Sequence, residues 1–268
     1  MSVVTLLTDF GTKDAFVGIM KGVILNINPG AAIVDITHGI EPQDITQAAF
    51  TIRHAYRFFP EGSVHLIVVD PGVGSDRDIL AIRHGTHRFV APNNGVLTLI
   101  LKETKVEYVI RVQNSEYFIK PVSHTFHGRD ICAPVRAYLS AGVPIQKLGA
   151  PFETEKIIRL TLPAPQIGPR GEITGTVIAV DRFGNLITNI DWNVIGKFHP
   201  DAHSGDLTFQ FGGFTVEGVA TSYSSGRKDL PVVIVGSMGY FEIAVYNDNA
   251  QKRLNLGKGD PVTVSLAG

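Results

Sequence analysis

The sequence predicts an α/β domain, built on a mostly parallel sheet flanked by helices, followed by a small all-β barrel. Three observations carry this prediction. In the first 160 residues, short β-branched runs alternate with stretches of helical period, as in a sheet covered by helices. Beyond Gly171 no helical period persists, and short apolar runs recur between glycine-rich and polar turns. Between the two, Leu162-Pro163-Ala164-Pro165 marks a change of character and places a linker at 158–170. The expected domains are therefore residues 1–160 and 171–268.

Val3 to Thr8 reads as a first buried strand, closed by Asp9-Phe10-Gly11. From Ala15 to Asn28, Phe16, Ile19, Met20, Val23, Ile24 and Ile27 fall at helical spacing, with one buried face expected. Pro29-Gly30 ends that helix. Ala32 to Thr37 is a second strand, and Ile45, Ala48, Ala49, Ile52, Ala55 and Tyr56 mark a second helix. His65 to Asp70 is a third buried strand, ended by Pro71, whose missing N–H cannot extend a central strand. Leu80 to His84 and Arg88 to Ala91 form a hairpin across Gly85-Thr86-His87. A short helix is expected over Val96 to Leu101 and a strand over Tyr108 to Val112. Asp130 suits the N-cap of a further helix, with Pro134 near its first turn. The barrel strands are expected at Ile173 to Val180, Asn185 to Ile190, Leu207 to Phe211, Phe214 to Ala220, Val232 to Val235, Phe241 to Val245 and Val262 to Ser265.

Composition narrows the function classes. Of 268 residues, 44% are hydrophobic, ample for a packed core, and 24 Lys+Arg balance 25 Asp+Glu. No basic stripe points to a nucleic-acid partner. No apolar run approaches the roughly 20 residues that span a bilayer. The first residues lack a basic, cleavable leader, so a cytoplasmic protein is expected. Cys132 is the single cysteine, which excludes an intrachain disulfide and a CxxC metal pattern.

The candidate chemistry lies at strand ends. Asp9 and Asp70 each follow a strand at the edge where open α/β sheets bind ligands. An acid there suits a ribose diol; an Asx-turn or helix cap is the plainer alternative. Gly72 and Gly74 let the chain turn after Asp70, and Arg77 is close enough to fold back and pair with it. His127 sits just before an expected helix. Asp70, Arg77 and His127 together can orient a water as it loses a proton, although surface polar residues coincide in this way without function. His124 and His127 are spaced three apart, a weak metal signal. Asp9-Phe10-Gly11-Thr12-Lys13 is not a dinucleotide fingerprint, and no Walker A sequence occurs. Cys132 reads as a small buried hydrophobe. In the second domain, Asp181-Arg182-Phe183-Gly184-Asn185 joins two strands. It is either an ordinary turn or a stacking aromatic between two polar contacts. Glu242, entering a strand after Gly236-Ser237-Met238-Gly239, needs a partner if it points inward.

Taken together, the motifs resemble the S-adenosyl-L-methionine (SAM) hydroxide adenosyltransferases, hydrolase relatives of the SAM-dependent fluorinase and chlorinase. The matching stretches are Leu7-Thr8-Asp9-Phe10-Gly11, Phe58-Phe59-Pro60-Glu61-Gly62-Ser63-Val64 and Val69-Asp70-Pro71-Gly72-Val73-Gly74. They continue with Ala91-Pro92-Asn93-Asn94-Gly95, Phe126-His127-Gly128-Arg129-Asp130, Asp181-Arg182-Phe183-Gly184-Asn185 and Ser237-Met238-Gly239-Tyr240-Phe241-Glu242-Ile243-Ala244.

The resemblance implies hydrolysis of SAM to adenosine and L-methionine, with SAM as substrate and no cofactor or metal. It implies a homotrimer that binds SAM between the first domain of one subunit and the second of its neighbour. By position it assigns Asp70, Arg77 and His127 to water activation and Asp9 to the ribose diol. The implied substrate contacts also include Phe10, Asn94, Asp181, Phe183, Asn185, Tyr223, Ser237, Met238, Glu242, Val245 and Asn247, with Asp181 and Ser237 near the methionine end. The halogenases lack the Asp–Arg–His set, carry a small hydroxyl residue at the Gly128 position, and the fluorinase has an insertion after its strand-end loop. All three departures favour water as nucleophile. Met238 stands where the fluorinase has arginine, which leaves the hold on the methionine carboxylate open. The alternatives are a SAM-dependent halogenase, a non-catalytic SAM or adenosine binder, and a metal-dependent hydrolase using Asp9, Asp70 and His127.

Overall fold

Five of the six residues of β1 (Val3–Thr8) are buried, which requires a neighbouring strand on each edge and cover on both faces. The neighbours are β2 (Ala32–Thr37) and β3 (Val64–Val68), both parallel to β1. Their crossovers are α1 (Phe16–Ile27) and α2 (Ile45–Ala55), as parallel pairing demands. The computed structural model describes residues 3–103 and 106–266. The chain divides into two units, Met1–Thr161 and Leu162–Gly268.

β4 (Ile79–His84) and β5 (His87–Pro92) form a hairpin, and β5 also lies parallel to β3. β6 (Tyr108–Val112) and β7 (Gly149–Pro151) continue antiparallel, giving the order β2-β1-β3-β5-β4-β6-β7. The sheet is thus mixed. The two-residue turn at Gly85-Thr86 joins only antiparallel neighbours, and the strands beyond β5 then alternate in direction. The parallel half bears the loops after β1 and β3, where the candidate residues lie.

Three local expectations are corrected in this unit. The buried face of α1 is Val17, Met20 and Ile24, whereas Phe16 and Ile19 stay exposed. Phe16 instead joins an aromatic cluster with Phe10 and Phe126, at ring-centroid distances of 5.5 and 5.1 Å. Val96 to Leu101 forms turns and a short 3₁₀ segment, Ile100–Lys102, instead of a helix. Here Thr98 Oγ1 donates to Gly95 O (2.6 Å), a local bond that competes with a helix ladder, and accepts Leu160 N (2.8 Å) from a distant segment. Asp130 is not an N-cap. It lies inside a π turn, Gly128–Cys132, that leads into α3 (Ala133–Ser140). Its buried carboxylate accepts Ser123 N at 2.8 Å and the Arg129 guanidinium at 2.6 and 2.9 Å.

The named strands of the second unit all pair antiparallel. β8 (Gln166–Ile167) pairs with β9 (Ile173–Val180). The main order is β12-β11-β15-β9-β10-β14-β13, with β10 (Leu186–Asp191), β11 (Leu207–Phe211), β12 (Phe214–Glu217), β13 (Pro231–Val235), β14 (Tyr240–Val245) and β15 (Pro261–Leu266). Ala220 bridges to Ile234, and its N–H donates to Val233 O at 2.8 Å, which nearly closes the barrel. Ile173, Leu186, Phe209, Phe241 and Val262 fill the interior. Two helices were not expected here, α4 (Trp192–Phe198) and α5 (Ala250–Leu254). At seven and five residues they are too short for an apolar period to repeat. Their caps are explicit, with Asp191 accepting Val194 N and Asn249 accepting Lys252 N, each at 2.8 Å. Among the described residues, no helix is long and apolar enough to cross a membrane.

Candidate active site

The loop after β3 is tied by its own short bonds. Val73 N donates to Asp70 O, and Ser75 donates to Gly72 O from both its amide and its hydroxyl. Gly74 has φ +82°, and a Cβ there would stand 2.3 Å from His124 O. Only glycine lets the loop press so closely on the segment that carries His127. The turn brings Arg77 back over Asp70. Its Nε donates to Oδ1 at 2.5 Å and Oδ2 at 2.7 Å, and its Nη2 also pairs with Oδ2. The two side chains are only 9% and 8% exposed, so this pair is largely desolvated.

Arg77 Nη1 and Nη2 each lie 3.2 Å from His127 Nδ1. A guanidinium only donates, so Nδ1 accepts and the imidazole proton sits on Nε2. Burial first, and then the Arg77 charge, hold the His127 pKa below its usual value. His127 is therefore neutral near pH 7. The three residues form a line with Arg77 in the middle, instead of a direct Asp70–His127 pair. Cys132, buried beneath them, has its thiol pushed up to about 12 by burial and by the nearby Asp70 charge, so it is no nucleophile at neutral pH.

The structure places Asp9 at the end of β1, half-buried, with Oδ2 accepting Gln43 N at 2.8 Å. Phe10 packs edge-on against Phe126 at 6.0 Å. Asn94 braces the sheet edge. Its Nδ2 donates to Val69 O at 2.8 Å and its Oδ1 accepts Val96 N at 3.2 Å, which ties it to the strand that leads to Asp70. Among the described residues, no group of three or more His, Cys, Asp or Glu is arranged to hold a metal ion.

The barrel carries a cleft of about 820 Å³, within the range of small-molecule sites. Nine of the expected residues line it: Asp181, Phe183, Asn185, Tyr223, Ser237, Met238, Glu242, Val245 and Asn247. Asp181 Oδ1 accepts the amides of Phe183 and Asn185, and Oδ2 accepts Asn185 Nδ2, at 2.8 to 2.9 Å. This closed turn leaves the Phe183 ring 76% exposed. Gly184, at φ +89°, touches the side chain of Asn249, and any Cβ would overlap it. Tyr223 donates to Glu242 Oε1 at 2.6 Å, which supplies the partner that Glu242 needs. Burial raises the Glu242 pKa, and the Asp181 charge adds to the rise against the Tyr223 bond. Ile187, Tyr246, Asp248 and Asn249 also line the cleft and were not expected. The polar run Asn247-Asp248-Asn249 just after a strand was the available signal.

Comparison with known proteins bears on both units. Residues 4–149 match the SAM hydroxide adenosyltransferase N-terminal domain, and residues 175–263 match the C-terminal domain of the same family. The chain is 36% identical to the (R)-S-adenosyl-L-methionine hydrolase of Thermus thermophilus, covering 98% of this chain and 99% of that protein. A fluorinase of an Actinoplanes species is 29% identical, covering 99% and 98%. The crystal structure of an uncharacterized conserved protein from Thermotoga maritima superposes with a TM-score of 0.88 at 35% identity, covering 98% of this chain and 99% of that one.

Proposed function

The chain belongs to the SAM hydroxide adenosyltransferase family, and from that premise we propose that it hydrolyses SAM to adenosine and L-methionine. The observation that carries this reading is the Asp70–Arg77–His127 line at the ligand edge of the sheet. Water is a poor nucleophile near neutral pH, and a positioned general base contributes about 10²–10⁴-fold. Arg77 orients Asp70 and holds His127 neutral. His127 Nε2–H donates to the attacking water and aims its lone pair at C5′. As the C5′–O bond forms, the C5′–S bond breaks and its electron pair returns to sulfur. The water proton passes to Asp70 and on to solvent. A hydroxide-like nucleophile and a sulfonium neutralise each other, so a water-poor pocket favours the transition state.

Asp9 takes the ribose diol in this reading. Phe183 stacks on the adenine, Asn185 and Asn247 meet its edge, and Asp181 with Ser237 holds the ammonium end of the methionine. The exposed Phe183 ring supports an assembly in which the barrel cleft of one subunit is completed by the sheet edge of another, in a cytoplasmic homotrimer. Incubating the protein with SAM, with and without chelator and with and without halide, tests the reading. Adenosine and methionine in equal amounts, insensitive to chelator, are expected. Binding without adenosine would indicate a sensor, loss with chelator a metal enzyme, and a 5′-halogenated nucleoside a halogenase.

A further inference from the structure

We infer that Thr8 and His38, which are bonded to none of Asp70, Arg77 and His127, are positioning residues. Together they set the ligand loop Asp9-Phe10-Gly11, and through it the affinity for the nucleoside. The inference rests on the adenosine-forming reading above.

The loop is gripped from beneath by two amide bonds. Phe10 N donates to Thr8 Oγ1 at 3.2 Å, and Gly11 N donates to His38 O at 2.8 Å. Thr8 and His38 are themselves joined, Oγ1 to Nδ1 at 2.9 Å, with both residues buried. His38 thus holds the loop through its main chain directly and through its side chain by way of Thr8.

The direction of these bonds is favoured by the charge beside His38. The Thr8 oxygen accepts the Phe10 amide, so its one proton is free to go to His38 Nδ1. That puts the imidazole proton on Nε2. Nε2 lies 3.1 Å from Asp35 Oδ1, at an angle poor for a hydrogen bond but close enough for the charge to favour a proton there. Asp35 is held in turn by Lys21 at 2.6 Å. With the proton on Nε2, Nδ1 accepts from the Thr8 hydroxyl while the same oxygen accepts the Phe10 amide.

The backbone is shaped for this contact. Along the β1–β2 ladder Leu6 pairs with Asp35 but Leu7 pairs with Thr37. One extra residue, Ile36, is inserted at the carboxyl end of β2. His38, just past the strand, is thereby brought beneath Thr8. A bulge beside a ligand edge is a common way to re-aim a side chain. Here the re-aimed group meets the residue before Asp9. An error of an ångström in a binding group lowers affinity sharply, so the brace acts on the Asp9 carboxylate without touching the ligand.

The test is Thr8→Val, which keeps the shape and deletes the hydroxyl, beside Thr8→Ser, which keeps it. Adenosine affinity is read by calorimetry and SAM turnover by steady-state kinetics. Expected are an adenosine Kd and a SAM KM each raised about tenfold, the size of one lost buried hydrogen bond. The kcat stays within about threefold, and Thr8→Ser is near wild type. Asp35→Ala alters an exposed edge strand and keeps the test decisive if Thr8→Val fails to fold. It should raise both constants about threefold. Unchanged Kd and KM in the folded variants, or a loss in kcat at constant KM, would overturn the inference. Wild-type protein that neither binds adenosine nor releases it from SAM would instead refute the adenosine-forming reading, whatever the variants do.

Discussion

The two units, each holding part of the proposed site, handle their polar groups in opposite ways. In the first unit, Asp70, Arg77 and His127 are bonded to one another, and the Asp70 and Arg77 side chains are nine-tenths hidden. In the barrel, the polar groups are tied into turns while the recognition surface is left open, with Phe183 76% and Tyr223 43% exposed. The contrast suits the two tasks proposed for them. Groups that stabilise a transition state must be oriented before the substrate arrives, or reorganisation raises the barrier. A stacking platform needs an uncovered face, since its stabilisation comes from the apolar area that the ligand removes from water.

The largest expected effect breaks the pre-oriented half. Asp70→Ala and His127→Ala should each lower kcat about 10²-fold or more, with adenosine affinity within a few-fold of wild type. Near-native rates in both would remove them from the chemistry. The next test asks whether the halves belong to different subunits. Inactive His127→Ala and Asp181→Ala proteins, unfolded together and refolded as a mixture, should recover about a quarter of wild-type activity, the share of interfaces that pair two intact halves. A site within one chain recovers none.

Opening the other half gives a smaller and different effect. Phe183→Ala should raise the adenosine Kd and the SAM KM about tenfold by deleting one stacked ring, with little change in kcat. Asp9→Ala should weaken adenosine comparably but leave free methionine unaffected. If adenosine affinity is unchanged in calorimetry, the ribose assignment falls.

The smallest effect separates the units by pH. His65 is fully buried between Thr5 (2.9 Å) and His87 (3.1 Å), and burial, followed by the Arg136 and His87 charges, pulls its pKa down to about 2 from 6.5. The unfolded chain therefore takes up the proton first. The stability from this site is fully present above about pH 6.5 and is lost as pH falls toward 2. His54, His84 and His87 shift the same way, each first through burial. Amide protection factors in the first unit, which correct for the pH dependence of intrinsic exchange, should fall on acidification from pH 6.5 to 5 before the fluorescence of Trp192, the chain's one tryptophan, reports any change in the barrel. Simultaneous loss in both units would contradict this. The depressed His127 pKa makes a parallel point. The acid limb of kcat should lie below pH 6.5, and Arg77→Met, which removes the second cause of the depression, should move it upward.

Strand positions were legible because alternation and apolar runs record burial over a few residues. Val3 to Thr8, Ala32 to Thr37 and Tyr108 to Val112 lie where their patterns place them. The nine barrel residues that line the cleft were legible through motif, since Asp181-Arg182-Phe183-Gly184-Asn185 and the Ser237 to Asn247 stretch carry most of them. Helices of five and seven residues were not, because one turn or two repeat no period.

By itself, the sequence determined which segments are strands, where the character changes between units, and which acids end β1 and β3. Those features depend on neighbours within about ten residues, and local sterics and burial decide them. Only the tertiary structure decided that Arg77 stands between Asp70 and His127, that Asn94 ties back to the strand before Asp70, and that His38 lies beneath Thr8. These pairs join residues 25 to 50 positions apart, apart from the short Arg77–Asp70 turn. Strand order, the bulge at Ile36 and the approach of Gly74 to His124 bring them together. Such contacts follow from how sheets pair and pack, and no local period in a chain encodes them.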